Sequence, residues 1–259
     1  MPALARKAAA EGIVLLKNNN ALPYKLDTKI SVFGRCQLDY FYVGYGSGGD
    51  VNAPYFVNVI DGIKNAGGHV NEWLLEYYKD FTKNNPAPHG FWGHWPMNFE
   101  EPSLDDKMIE RASEESDVAL VVIGRAAGED RENTLTKGSY YLTDEERNLL
   151  DNVCNHFSNV TVLLDCGNII DMQWVLDYEE RLRGIIYAWQ GGMESGNAIA
   201  DVLFGRVNPS GRLTDTIAVR YEDYPSAMHF GNKLFNTYVE DIFLSLIHIS
   251  EPTRHSLIS

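Results

Sequence analysis

The sequence predicts an α/β fold, a mostly parallel sheet sandwiched between helices, on three observations. Val118-Ala-Leu-Val-Val-Ile123 and Asn159-Val-Thr-Val-Leu-Leu-Asp165 are nearly continuous apolar runs, and strands of that kind are buried on both faces, as in helix-covered parallel sheets. Segments with helical spacing alternate with them, which implies βαβ units. The runs also end in polar or glycine-rich turns: Gly34-Arg35, Gly124-Arg125, Cys166-Gly167-Asn168 and Trp189-Gln190-Gly191-Gly192. In an open parallel sheet the ligand crevice lies at the carboxyl ends of the strands, so these turns are expected along one edge.

Ala3 to Glu11 is rich in Ala, Lys and Arg and reads as a helix ended by Gly12, with Val14 to Asn18 an extended piece after it. Lys29 to Gly34 is a short strand opening into Arg35-Cys36-Gln37. Val57 to Ala66 has helical spacing and stops at Gly67-Gly68. Asn84 to Pro102, dense in Pro, His and Trp, has no periodicity and reads as an irregular excursion. Leu104 to Ser116 and Asp144 to His156 are amphipathic helices, the second with Thr143 as its N-cap. Gly184 to Ala188 is a further strand, and Met193 to Phe204 a helix closed by Gly205.

With 259 residues, 44% of them hydrophobic, the chain can bury a substantial core. A formal charge of -14 argues against nucleic acid, which is bound by clustered Lys and Arg. Cys36, Cys154 and Cys166 are widely spaced without a CxxC pair, and the seven histidines show no metal-ligand spacing. The expectation is therefore no metal, no cofactor and no disulfide. No apolar run approaches the ~20 residues that span a bilayer, and the first residues lack a signal-peptide core, so a cytoplasmic chain with no membrane partner is expected.

Val118 to Arg131 is the most informative stretch, because an apolar strand runs straight into a turn that carries Glu129, Asp130 and Arg131. Two readings stand: a carboxylate delivered to a working edge, or a solvated turn with a Glu129–Arg131 ion pair. Gly44-Tyr-Gly-Ser-Gly-Gly49 satisfies GxGxxG on paper. It lies ten residues beyond Gly34 instead of at a strand-to-helix turn, which favours a close-approach loop presenting backbone and the Ser47 hydroxyl over nucleotide binding. Trp189 and Tyr40-Phe41-Tyr42 suit either sugar stacking or the core. No GxSxG elbow is present.

Taken together, Ala8-Ala-Ala-Glu-Gly-Ile-Val-Leu-Leu-Lys-Asn18, Gly46-Ser47-Gly48, Ile123-Gly-Arg-Ala-Ala-Gly-Glu129-Asp-Arg131, Ala188-Trp-Gln-Gly-Gly192, Ala200-Asp-Val-Leu-Phe-Gly205 and Asn208-Pro-Ser-Gly-Arg-Leu213 resemble the C-terminal α/β-sandwich domain of glycoside hydrolase family 3, the β-glucosidase family. The resemblance implies a sheet of about six strands packed against a separate (β/α)8 barrel, with a β-glucoside or oligosaccharide bound between them. It implies that the nucleophilic Asp comes from the barrel and that Glu129 is the general acid/base. Ser47 is then a candidate contact to the sugar, with Tyr45 and Arg131 as further substrate-binding candidates.

On the same resemblance, residues 1–215 form the sandwich domain and 216–243 begin a linker. Residues 244–259 resemble a translated sequencing adapter and are expected to have no fold. Motifs starting within a few residues of Met1 resemble the subgroup in which the sandwich precedes the barrel. The expectation is a truncated product with a genuine start, inactive alone. The alternative is a stand-alone sugar-binding or interaction domain without catalysis.

Overall fold

The computed structural model describes residues 1–47, 51–88, 90, 94–129, 132–235, 237 and 239. Arg131 and the segment 244–259 lie outside them. A six-stranded sheet runs in the order β1-β6-β5-β4-β2-β3, with β1 at Val14–Asn18, β2 at Lys29–Phe33, β3 at His69–Val70, β4 at Val118–Arg125, β5 at Val160–Cys166 and β6 at Leu182–Tyr187. Neighbours are parallel except β1, which pairs antiparallel with β6. The predicted fold class is the observed one.

Alternation along β4 shows why the apolar runs are continuous. Ala119, Val121 and Ile123 enter one core cluster with residues of α3 (Glu72–Asn84), α4 (Asp106–Glu114) and α5 (Asp144–His156). Leu120 and Val122 enter the other, with residues of α2 (Val59–Asn65) and α6 (Ser195–Leu203), while α1 (Pro2–Gly12) packs beside α6. Each Val, Leu or Ile side chain fully buried this way stabilises the fold by about 1.5–3 kcal/mol relative to exposure.

Local signals set the helix starts. Asn58, Asn71 and Asp105 each accept a backbone N–H of their own first turn through the side chain, which satisfies donors that have no partner within the helix. Thr143 and Glu146 form a reciprocal capping box at α5. Features that go beyond the sequence reading include β3, α3 and a 3-10 segment at Gln173–Tyr178. Met193 belongs to a short 3-10 turn, Gly192–Glu194, ahead of α6. All three cysteines are buried and free. No described helix is long and apolar enough to cross a membrane.

Candidate active site

Because β2, β4, β5 and β6 are parallel, their carboxyl ends lie at one edge of the sheet, and the four polar turns meet there. The Phe41 N–H donates to the Asp165 carboxylate at the end of β5 (2.6 Å), the Tyr40 hydroxyl donates to the Trp189 carbonyl (3.1 Å), and the Gly192 N–H donates to the Tyr42 carbonyl (2.8 Å). Burial pushes the Asp165 carboxyl well above its ordinary range. The loop after β2 is thus fastened to the ends of β5 and β6. Tyr40 and Phe41 are buried core residues, while Trp189, half-buried, packs its ring against Tyr187 with centroids 4.4 Å apart. For Tyr40 and Phe41 the core reading holds; Trp189 and Tyr42 pack against the core from half-buried positions.

From that anchorage the glycine loop runs alongside the turn after β4. The Tyr45 N–H donates to the Ala127 carbonyl (2.7 Å) and the Glu129 N–H donates to the Tyr45 carbonyl (3.0 Å). Gly46 has φ +113°, and a Cβ there would lie 2.4 Å from the Glu129 Cβ. Only glycine permits both that conformation and that approach. The loop is therefore a close-approach element; Gly48 and Gly49 lie outside the described residues.

The consequence is contact between the two predicted residues. Ser47 donates to Glu129 Oε2 from its backbone N–H (2.9 Å) and from its hydroxyl (2.5 Å). Glu129 is exposed, and the paired Ser47 hydrogen bonds, hydroxyl first, hold its carboxyl below the usual range. Tyr45 stands beside them, stacked on Trp95 with centroids 5.2 Å apart and planes at 5°, and edge-on to Phe41 at 6.5 Å. Glu129, Ser47 and Tyr45 are thus brought together, while Arg131 lies outside the described residues.

The sequence reading did not find Trp95. Its excursion was legible as irregular and aromatic, but nothing in the spacing says which aromatic returns to the glycine loop. Nor did the sequence identify Glu101, whose carboxyl lies inside although part of the residue reaches the surface. It accepts from the Arg35 N–H (2.8 Å) and the Tyr78 hydroxyl (3.1 Å). Burial pushes it up to about 8 against the opposing Arg35 N–H contact. Among the described residues, no group of three or more His, Cys, Asp or Glu is arranged to hold a metal ion.

An exposed carboxylate with a hydroxyl at hydrogen-bond distance, beside an aromatic wall, can exchange a proton with a bound oxygen and presents a face for a sugar ring. Residues 13–246 match the model described as "Glycosyl hydrolase family 3 C-terminal domain". A beta-glucosidase of Ruminococcus albus is 45% identical over 241 residues, covering 93% of this chain and 25% of the relative. Beta-glucosidase A of Butyrivibrio fibrisolvens is 33% identical, covering 93% of this chain and 31% of its own. Among solved structures, a beta-glucosidase from Paenibacillus barengoltzii superposes with a TM-score of 0.91 at 46% identity, over 93% of this chain and 27% of that one. Beta-glucosidase 3B from Thermotoga neapolitana, in complex with glucose, gives 0.82 at 34% identity, over 93% and 35%. The chain spans about a quarter to a third of the length of these relatives.

Proposed function

The chain belongs to glycosyl hydrolase family 3, through its C-terminal domain, and from that premise we propose that it supplies the general acid/base, Glu129, for hydrolysis of β-glucosides by a retaining mechanism. The observation that carries this reading is the Ser47–Glu129 contact at the carboxyl edge of the sheet. A conformationally fixed carboxylate faces outward there, where a second domain can complete the cleft.

Retaining hydrolysis needs two carboxyl groups. One attacks the anomeric carbon; the other protonates the departing glycosidic oxygen and then takes a proton from the water that resolves the glycosyl intermediate. We assign the second role to Glu129 and leave the nucleophile, an Asp, to a (β/α)8 barrel. As it stands, with its carboxyl lowered by Ser47, Glu129 suits the second half-reaction, in which it must be an anion. The first requires a protonated carboxyl. A barrel wall would desolvate Glu129 and set a second carboxylate near it, and both effects raise a carboxyl. Tyr45 and Trp95 supply the aromatic wall beside the leaving group. Arg131 is proposed as a further substrate contact.

Substitution of the glutamate aligned with Glu129 by Gln in the full-length Ruminococcus albus relative tests the reading. General acid catalysis contributes about 10²–10⁴-fold, and its loss falls hardest on glucosides with poor leaving groups. Near-normal turnover of cellobiose by that variant would remove Glu129 from the role.

A further inference from the structure

The same pair of residues marks the ends of two neighbouring strands, Gly34-Arg35 just past β2 and Gly124-Arg125 closing β4. Long cationic side chains ordinarily lie at the surface, yet both arginines are among the most completely buried residues of the chain, at 2% and 1% exposure. Neither belongs to the acid/base constellation. Each grips a loop that carries a residue of the crevice, Trp95 for Arg35 and Glu129 for Arg125.

Arg125 uses every donor that a guanidinium has. Nε donates to the Ser139 carbonyl (3.0 Å), Nη1 to the Gly124 carbonyl (2.7 Å) and Glu146 Oε1 (2.6 Å), and Nη2 to the Tyr141 carbonyl (3.2 Å) and Glu146 Oε2 (2.5 Å). Ser139 and Tyr141 are on the returning arm of the loop 126–142, whose outgoing arm carries Glu129. Within the loop, the Ser139 hydroxyl donates to Asn133 Oδ1 and accepts from the Thr134 N–H (2.9 Å). Glu146 also receives the Thr143 N–H (2.8 Å), which fixes the point where the loop re-enters α5. Arg35 repeats the device: Nη2 and Nη1 donate to the carbonyls of Asn85 (2.5 Å) and Glu100 (3.2 Å), at the two ends of the stretch that carries Trp95.

A buried ion pair is weak evidence for stability, since well-packed apolar residues of similar volume often serve as well or better. What an apolar pair cannot do is fix two carbonyls of a loop in direction and distance. We propose that Arg125, neutralised and oriented by Glu146, is the positioning residue for Glu129, stapling the base of the 126–142 loop so that its carboxylate meets Ser47. This inference rests on the acid/base reading of Glu129 for its meaning, although the staple itself is a matter of geometry.

The test is a carboxyl-carbon NMR titration of Glu129 in the whole chain, in Glu146→Gln, in Arg125→Lys and in Val153→Ala. Val153→Ala opens a cavity in α5, where Val153 is fully buried, and lowers the melting temperature without touching the staple. Glu146→Gln removes the charge that orients the guanidinium. Arg125→Lys keeps the charge but cannot reach two carbonyls and a carboxylate together, and it stands in should Glu146→Gln not fold. In the staple variants the Glu129 titration should move upward as the Ser47 contact loosens, with no movement in Val153→Ala. An unmoved Glu129 in a folded staple variant, or an equal movement in Val153→Ala, overturns the proposal. Because the readout is a titration, a negative result leaves the acid/base assignment standing. Failure of that assignment in turnover experiments leaves the staple standing.

Discussion

At the scale of single residues, Glu129 is met directly by three features: its own backbone in register with Tyr45, Gly46 without a side chain, and Ser47 donating twice to one oxygen. Replacing Ser47 by Ala removes the hydroxyl donor and keeps the N–H. The Glu129 carboxyl should then titrate higher than in the unsubstituted chain, though with the backbone bond retained. The measurement is carboxyl-carbon NMR; identical titrations in the two proteins would mean that the hydroxyl contact does not form in solution. Glu129 and Ser47 were legible in the sequence because strand-to-turn boundaries and glycine pairs are local signals. Trp95 and Arg125 were not. Stacking on Tyr45 and the grip on Ser139 and Tyr141 are products of the return path of the chain, which no spacing rule carries.

Secondary-structure elements show the same division between local and distant information. Thr143, the start of α5, was readable as an N-cap, and its capping box is a four-residue signal. The double duty of Glu146, cap partner and counter-ion of Arg125, joins residues 21 positions apart and needs the fold. Thr143→Ala should lower stability by about 1 kcal/mol. Glu146→Ala should cost about 3–5 kcal/mol, because it strands a buried guanidinium. Urea denaturation separates the two; equal losses would show that Glu146 acts only as a cap. The strands were legible from their apolar runs, whereas β3, two residues at the edge, is too short to register as periodicity. The helix α3 shows an apolar face at Trp73, Leu74, Tyr77, Tyr78 and Phe81, a helical signal that the prominence of the following Pro-rich stretch obscured.

The excursion after α3 is tied down by Glu101, whose carboxyl sits at about 8 because it is buried. Below the unfolded value of about 4.3 both states hold the proton. Between there and about 8 only the folded state keeps it, so stability falls as pH rises, by at most ~1.4 kcal/mol per unit. Glu101→Gln should flatten that slope over pH 5–8. An unchanged slope in denaturation curves would show that another group is responsible.

For the molecule as a whole, the proposed function makes this edge of the sheet one wall of a cleft, and the relatives that share the domain are three to four times longer. On that proposal the chain alone makes few sugar contacts. Calorimetry of the chain with glucose and with cellobiose should therefore give no measurable heat of binding at millimolar ligand, whereas clear saturation would favour a stand-alone sugar-binding domain. The α/β class and the family were legible because six motifs in order constrain each other more than any one does alone. Specificity was not, since most of its determinants are expected in the opposite wall.

Azide rescue tests the acid/base role of Glu129 most directly. Replace the matching segment of the Ruminococcus albus relative with this chain's residues 13–235, and compare that chimera with its Glu129→Ala form on an aryl β-glucoside with a good leaving group. The intermediate should form but resolve slowly in the alanine form. Added azide should restore turnover and yield β-glucosyl azide. A Glu129→Ala chimera as active as its parent, or one that azide does not accelerate, contradicts the assignment.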